Sequence, residues 1–153
     1  MDVKYVNPFI DAVNETFSSM CGVTAKMHGK PILKGNNPAP VDAVLSIIGL
    51  SGDVKGAVIM TMPKDIANKA IEAFIGEPPE DDNELCDAIG ELINIFAGAA
   101  GGKLGAVDLS LPTVMIGDAT EIYTNTSSPW VVIPMMLEGI GVMAIELSMS
   151  STS

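Results

Sequence analysis

Residues 87–103 read DAIGELINIFAGAAGGK, and this stretch decides how the rest of the chain must pack. At helical spacing, steps of three and four residues return to the same side, so two opposed stripes appear. The apolar stripe, with one residue from the preceding turn, consists of Leu85, Ile89, Leu92, Phe96 and Ala99 or Ala100. The polar stripe consists of Asp87, Glu91, Asn94, Gly98 and Gly101. We therefore predict a helix that buries the first stripe and displays the second to solvent.

The displayed side of this helix carries a carboxylate, Glu91, and a carboxamide, Asn94, one turn apart. Their Cβ atoms would lie about 5–6 Å from each other, so the two side chains could contact one ligand together. Taken alone, this spacing is more typical of an ordinary solvated helix face. The glycines that follow each cost a helix roughly 0.8–1 kcal/mol relative to Ala. Because they lack side chains, they would let a second surface approach the backbone closely.

Three segments resemble one known family, the CheC/CheX/FliY phosphatases of bacterial chemotaxis. Asp87-x3-Glu91-x2-Asn94 is similar to the E-x-x-N helix motif of that family, including the acidic or small polar residue one turn before the Glu. SLPTVMIG at residues 110–117 resembles the segment that follows this helix in CheX-type members, and residues 133–139 resemble their closing hairpin. CheC-type chains usually carry two copies of E-x-x-N. This sequence has one copy, which favours the CheX type.

The resemblance implies both a fold and a reaction. The fold is α+β (mixed α/β), an antiparallel sheet built from hairpins with packed helices, in a single domain over residues 1–153. The activity is dephosphorylation of a phosphorylated response-regulator receiver domain of CheY type, whose aspartyl-phosphate site the E-x-x-N helix enters. The family's Asn, here Asn94, orients the attacking water, and its Glu, here Glu91, pairs with a lysine of the receiver. Asp87 and Gly98 are further candidates for contact with the partner.

The resemblance also implies partners and cofactors. The phosphorylated receiver would supply Mg²⁺, and the chain would have no cofactor of its own. A homodimer formed through sheet contacts is expected, and a CheD-type protein is a further candidate partner. The sequence departs from the family pattern at two points. Gly98, Gly101 and Gly102 make the second half of the helix unusually loose, and Pro112 matches the downstream proline of the motif only loosely.

Charge and composition limit the chemistry that the chain can perform. The formal net charge of −11 argues against a nucleic-acid partner, whose phosphates would be repelled. All eight basic residues are Lys, so the chain has no arginine finger and no bidentate guanidinium for a phosphate. Cys21, Cys86 and His28 form neither a zinc-ligand pattern nor a thiol triad. If the chain acts on a phosphoryl group, a partner must supply most of the positive charge.

Targeting signals are missing from the sequence. No segment approaches the roughly 20 apolar residues that a membrane span requires. Residues 1–9, MDVKYVNPF, lack the basic region and apolar core of a signal peptide. We therefore expect a cytoplasmic protein in which both cysteines stay reduced.

Hydrophobic periodicity and turn residues predict hairpins with helices between them. The predicted elements are a helix at 2–20, a strand at 23–33, a hairpin of 41–50 and 54–62, a helix at 64–75, the E-x-x-N helix capped by Asp82 or Asn83, extended pieces at 107–116 and 121–124, a hairpin of 130–137 and 142–149, and a frayed end at 148–153. The last two strands are strongly apolar and would make a poor exposed edge, which supports the expected dimer.

Two other functions stay open at this point. A non-catalytic receiver-binding or flagellar-switch-like module would hold the receiver without hydrolysing its phosphate. An acidic structural domain with a chance E-x-x-N would do neither. The intact Glu91 and Asn94 favour the enzyme, and a phosphate-release assay set beside a binding assay distinguishes these functions.

Overall fold

The computed structural model describes residues 3–34, 42–117 and 129–152, and these ranges contain three helices and eight strands. The helices are α1 (Val3–Cys21), α2 (Lys64–Ile75) and α3 (Asp82–Gly102). The strands are β1 (Ala25–Met27), β2 (Ile32–Leu33), β3 (Ala43–Gly52), β4 (Val54–Pro63), β5 (Val107–Leu109), β6 (Thr113–Gly117), β7 (Val131–Leu137) and β8 (Gly141–Ser151). The predicted α+β fold with an antiparallel sheet and packed helices is confirmed.

The described strands form one sheet in the order β1-β7-β8-β4-β3-β5, with β2 also beside β7 and β6 also beside β3. The predicted β3–β4 hairpin lies near its centre, with Ala43 opposite Pro63 and Leu50 opposite Gly56. Gly52 closes the hairpin with a φ of +101°, a conformation that residues with a Cβ rarely adopt. The β7–β8 hairpin predicted from the C-terminal apolar runs is also present.

One hydrophobic core lies between the sheet and the three helices. Phe9 and Phe17 of α1 and Phe96 of α3 are fully buried in it, among the largest side chains of the core. Leu45 of β3 and Ile59 of β4 are buried on the other side of the sheet and do not belong to this core. The helices therefore cover one face of the sheet.

The two C-terminal strands do not form an exposed edge, so that part of the argument for a dimer is wrong. β7 has β1 and β2 on one side and β8 on the other, and β8 lies between β7 and β4. The chain end also differs from the prediction, because β8 continues to Ser151 and Ser148 is fully buried. β8 pairs with β4 from Ala144 to Ser151, and this long-range pairing prevents the end from fraying.

The first helix is close to its predicted bounds, and the strand predicted after it is divided. α1 contains Pro8 in its interior, although Pro8 lacks the N–H for one backbone hydrogen bond. Met20, in the last turn of α1, is 41% exposed. The predicted strand at 23–33 is divided into β1 and β2, with Gly29 at a φ of +103° and Pro31 between them. His28 is exposed to solvent, as the sequence predicted.

The segment after α3 is also interrupted. The predicted extended piece at 107–116 forms β5 and β6 with residues 110–112 between them. The predicted piece at 121–124 lies outside the described residues. None of the three helices in the described ranges combines the length and hydropathy that a membrane span requires.

Candidate partner-binding site on helix α3

The two stripes predicted for α3 are present in the structure. Phe96 is fully buried, whereas Asp87, Glu91 and Asn94 are exposed on the opposite side. The buried part is wider than a single stripe because α3 packs against α1, α2 and strands β3, β5 and β6. The prediction that Gly101 lies on the displayed side is wrong, because Gly101 is buried against β5.

The N-terminus of α3 is capped one residue before the predicted positions. Asp81 has extended backbone angles, and its Oδ1 accepts a hydrogen bond of 2.8 Å from the backbone N–H of Glu84. Asp82 is already part of the first turn, and its carboxylate forms an ion pair of 3.1 Å with Lys64 at the start of α2. The cap and the ion pair together fix the end of α3 that carries the motif.

Replacing Asp81 with Ala is expected to lower the free energy of unfolding by about 1 kcal/mol, because the N–H of Glu84 loses its acceptor. Urea unfolding measures this difference. Asn83→Ala is the matched control, since Asn83 is exposed in the same turn and Ala is the better helix former. A loss for Asn83→Ala larger than that for Asp81→Ala would contradict this assignment of the cap.

The β5–β6 segment packs along a side of α3 that carries three glycines. A Cβ at Gly90 would lie 3.5 Å from Val114 Cγ2 and 3.6 Å from Pro112 Cγ, and one at Gly101 would lie 3.5 Å from β5. Gly98 is exposed, although a Cβ there would also come within 3.7 Å of a β5 side chain. These are ordinary van der Waals distances, so an alanine would fit at each of the three positions, and the helix continues through them to its end.

An open cavity of about 460 Å³ lies between the displayed side of α3 and the segment that joins β5 to β6. Its lining includes Asp87, Gly90, Glu91 and Asn94 from α3 and Leu111 and Pro112 from that segment. The structure thus brings three of the four predicted site residues to one cavity. Gly98, one turn further along α3, is exposed but does not line it.

The sequence did not point to five of the residues that line this cavity, namely Cys86, Gly90, Leu111, Pro112 and Val114. Leu111 and Pro112 lie opposite the predicted pair on α3. Both belong to SLPTV, so the signal that could have found them was the motif beside the E-x-x-N helix. Their proximity to α3 depends on how β6 pairs with β3. The spacing of residues along the sequence does not predict that pairing.

The cavity is acidic, because the carboxylates of Asp87 and Glu91 line it. Four ion pairs within the described ranges are Lys26–Glu138, Lys34–Glu146, Lys64–Asp82 and Lys103–Glu15. Neither Asp87 nor Glu91 takes part in any of these four. Opposite charges attract strongly where water is excluded, so both carboxylates can accept a cation that a partner brings.

Cys86 borders the same cavity, but its thiol is a poor nucleophile. Partial burial raises the pKa of Cys86, Asp82 and Asp87 raise it further, and Lys64 lowers it. The thiolate is the reactive form, so the raised pKa keeps this thiol protonated at neutral pH. The described ranges also contain no group of three His, Cys, Asp or Glu side chains that could hold a metal ion. The arrangement is suited to positioning a reactant that a partner supplies.

Comparisons with known proteins add to this geometry. Residues 44–136 match the family described as "Chemotaxis phosphatase CheX". The chain is 33% identical over 128 residues to the CheY-P phosphatase CheX of Thermotoga maritima, covering 80% of this chain and 81% of that relative. The crystal structure of the chemotaxis protein CheX from Desulfovibrio desulfuricans gives a TM-score of 0.84 at 26% identity, over 95% of this chain and 99% of the other. The CheX-CheY-BeF3-Mg²⁺ complex from Borrelia burgdorferi has the same fold, with a TM-score of 0.80 at 24% identity over 98% and 100% of the two chains.

Proposed function

The chain belongs to the CheX family of chemotaxis phosphatases. From this premise we propose that it dephosphorylates a phosphorylated CheY-like receiver domain. In this proposal, α3 inserts into the aspartyl-phosphate site of the receiver. The observation that carries the proposal is the exposed pair Glu91 and Asn94 on one side of α3, beside an open cavity. The described lining of this cavity has two carboxylates, a carboxamide and a thiol with a raised pKa, and it contains no activated nucleophile. Such a site completes the active site of a partner instead of forming one by itself.

In the proposed reaction, Asn94 holds the attacking water. Its carboxamide offers both N–H donors and a carbonyl acceptor, so it can hydrogen-bond a water and fix its orientation. The water oxygen forms the new bond to phosphorus while the phosphorus–oxygen bond to the receiver's Asp breaks. The Asp leaves as a carboxylate, and the water's protons pass to the released phosphate and to solvent. The glutamine of GTPases positions water in the same way.

Glu91 docks the helix in this proposal. Its carboxylate would accept a charge-assisted hydrogen bond from a lysine of the receiver. Asp87 offers a second carboxylate one turn earlier, and Gly98 would let the receiver's surface approach the α3 backbone. A Mg²⁺ held by the receiver would neutralise charge on the phosphoryl group, and this chain, which has no Arg, offers no bidentate guanidinium for that purpose.

Two relatives support a receiver as the partner. The relative from Thermotoga maritima is a CheY-P phosphatase, and the Borrelia burgdorferi complex holds CheX together with CheY, BeF3 and Mg²⁺. The direct test is phosphate release from a phosphorylated CheY-like receiver with and without the chain. Binding of the receiver without faster phosphate release would assign the chain to the non-catalytic module instead.

We also propose that the chain forms a homodimer through the sheet face opposite the helices. Three exposed apolar side chains lie on this face, namely Ile32, Met115 and Val142. Side chains alternate between the two faces along a strand, and residues paired across strands share a face. By this rule the three lie on the same face as Leu45 and Ile59. Ile32 is 49% exposed, Met115 45% and Val142 38%. A second copy that covers this face would bury all three in both protomers.

Sedimentation at micromolar concentration is expected to give a dimer, and Met115→Lys is expected to give a monomer, because a charge would be buried in the interface. Leu33→Lys is the matched control. Leu33 follows Ile32 directly in β2 and pairs with Val131, so its side chain lies on the helix side of the sheet. A monomeric wild-type chain would contradict the dimer, and a monomer only with Leu33→Lys would assign the contact to the β2 edge.

Two further predictions made from the sequence stay predictions. One is binding of a CheD-type protein, and the other is a cytoplasmic location. Co-purification with CheD from the same organism and fractionation of cells, respectively, would test them.

A further inference from the structure

The SLPTV segment at residues 110–114 has no role in the mechanism above, although it borders the cavity. It carries Leu111, whose side chain is 90% exposed, the largest exposed fraction among the exposed large hydrophobic residues of the described ranges. Single exposed leucines are common on protein surfaces. The position and the rigidity of Leu111 therefore decide whether its exposure has a function.

The backbone around Leu111 is fixed on both sides. Ser110 N–H donates to the carbonyl oxygen of Gly49 at 2.9 Å, and Gly49 N–H donates to Ser110 Oγ at 2.8 Å. Ser110 Oγ in turn donates to the carbonyl oxygen of Leu111 at 3.2 Å. On the other side, Pro112 has a restricted φ and lies against α3 at Gly90. The backbone thus places Leu111 on the surface before any partner binds, so no backbone ordering is needed on binding.

The charge of the cavity explains what an apolar side chain adds there. Asp87 and Glu91 face the approaching partner, and the chain as a whole carries a net charge of −11. The receiver's phosphate is negative as well, so its repulsion by the chain's net charge opposes the attraction between the receiver's lysine and these carboxylates. Burial of apolar surface is favourable whatever the charges are, and it is not screened by salt. Among the described residues that line this cavity, Leu111 is the one with a large, apolar and exposed side chain.

We propose that Leu111 is an apolar anchor that docks into a hydrophobic patch of the phosphorylated receiver, beside the phosphate site that Asn94 enters. This inference rests on the proposed function. The receiver is the occupant because Leu111, Glu91 and Asn94 line one cavity, so a receiver that brings its phosphate to Asn94 also covers Leu111. The anchor contributes to affinity and has no part in the chemical step.

The test measures the affinity of the chain for a CheY-like receiver loaded with BeF3 and Mg²⁺, by calorimetry at low and high salt. Leu111→Ala is expected to raise the Kd about tenfold or more, as truncation of a buried interface anchor does. The ratio of the Kd of Leu111→Ala to the Kd of the wild-type chain should be the same at both salt concentrations. Leu111→Met should keep most of the affinity. Phosphate release at saturating chain should stay at the wild-type rate.

Leu33→Ala is the matched control, because Leu33 is 68% exposed on β2 and does not line the cavity. If Leu111→Ala binds as Leu33→Ala does while Asn94→Ala loses turnover, the anchor is wrong and the proposed function stands. If Leu111→Ala slows release at saturation without changing the Kd, Leu111 acts in the chemistry and the anchor is also overturned. A wild-type chain that neither binds nor dephosphorylates the receiver would overturn both proposals. Thermal melting of each variant checks that the fold is retained.

Discussion

Replacing Asn94 with Ala is expected to slow phosphate release at saturating chain by roughly 100-fold, because the attacking water loses the group that orients it. The affinity for the receiver should change little, since Glu91 and the surrounding surface still make their contacts. Asn94 is exposed and lies in the middle of α3. Ala is the best helix former, so the loss of rate would not come from a weaker helix. Single-turnover release from a phosphorylated receiver, with the chain in excess, measures the effect.

Asn83→Ala is the matched control for this experiment. It makes the same chemical change at an exposed position of the same helix, outside the cavity. We expect it to retain the wild-type rate. If Asn94→Ala also retains that rate at saturation, the positioning mechanism is wrong and the non-catalytic module becomes the better description.

Replacing Glu91 with Ala is expected to weaken binding to the BeF3-loaded receiver by about 2–5 kcal/mol, or roughly 30-fold to several thousand-fold in Kd. The receiver's lysine would be left buried without its partner, and this cost is larger than the value of an exposed ion pair. Activity should fall at low concentrations of the chain and recover as the concentration rises. Calorimetry and a titration of the release rate give the two quantities.

Glu84→Ala is the matched control, because it removes the same charge from α3 at a position that does not line the cavity. It should change the Kd only slightly, and this small change should disappear at high salt. Equal losses for the two variants would mean that the net charge of the helix, instead of a specific pair at Glu91, governs docking. A loss of rate at saturation for Glu91→Ala would assign Glu91 to the chemical step.

The sequence alone determined those elements whose signals are local. The bounds of α2 are the predicted ones, and it ends at Gly76, whose φ of +89° suits a helix C-terminus. The β3–β4 hairpin follows from two apolar runs joined by a Gly turn. The exposed Glu91 and Asn94 opposite the buried Phe96 follow from helical periodicity, because a helix side repeats every three or four residues whatever lies around it.

Contacts between different elements decided the rest of the fold. Gly101 is on the displayed side by periodicity but is buried, because β5 lies against it. β8 remains ordered to Ser151 because β4 pairs with it along that length. Each of these outcomes depends on a neighbouring element that the periodicity of one helix or strand does not identify.

The candidate site is divided in the same way. Its polar half, Glu91 and Asn94, lies on one helix and could be predicted from residue spacing and family resemblance. Its apolar half, Leu111 and Pro112, reaches the cavity only because β6 pairs with β3 and Ser110 bonds to Gly49, 61 residues earlier in the chain. Periodicity describes which residues share a side of one element. It carries no information about which other element will lie beside that side, because hydrogen bonding and packing between distant segments select that neighbour.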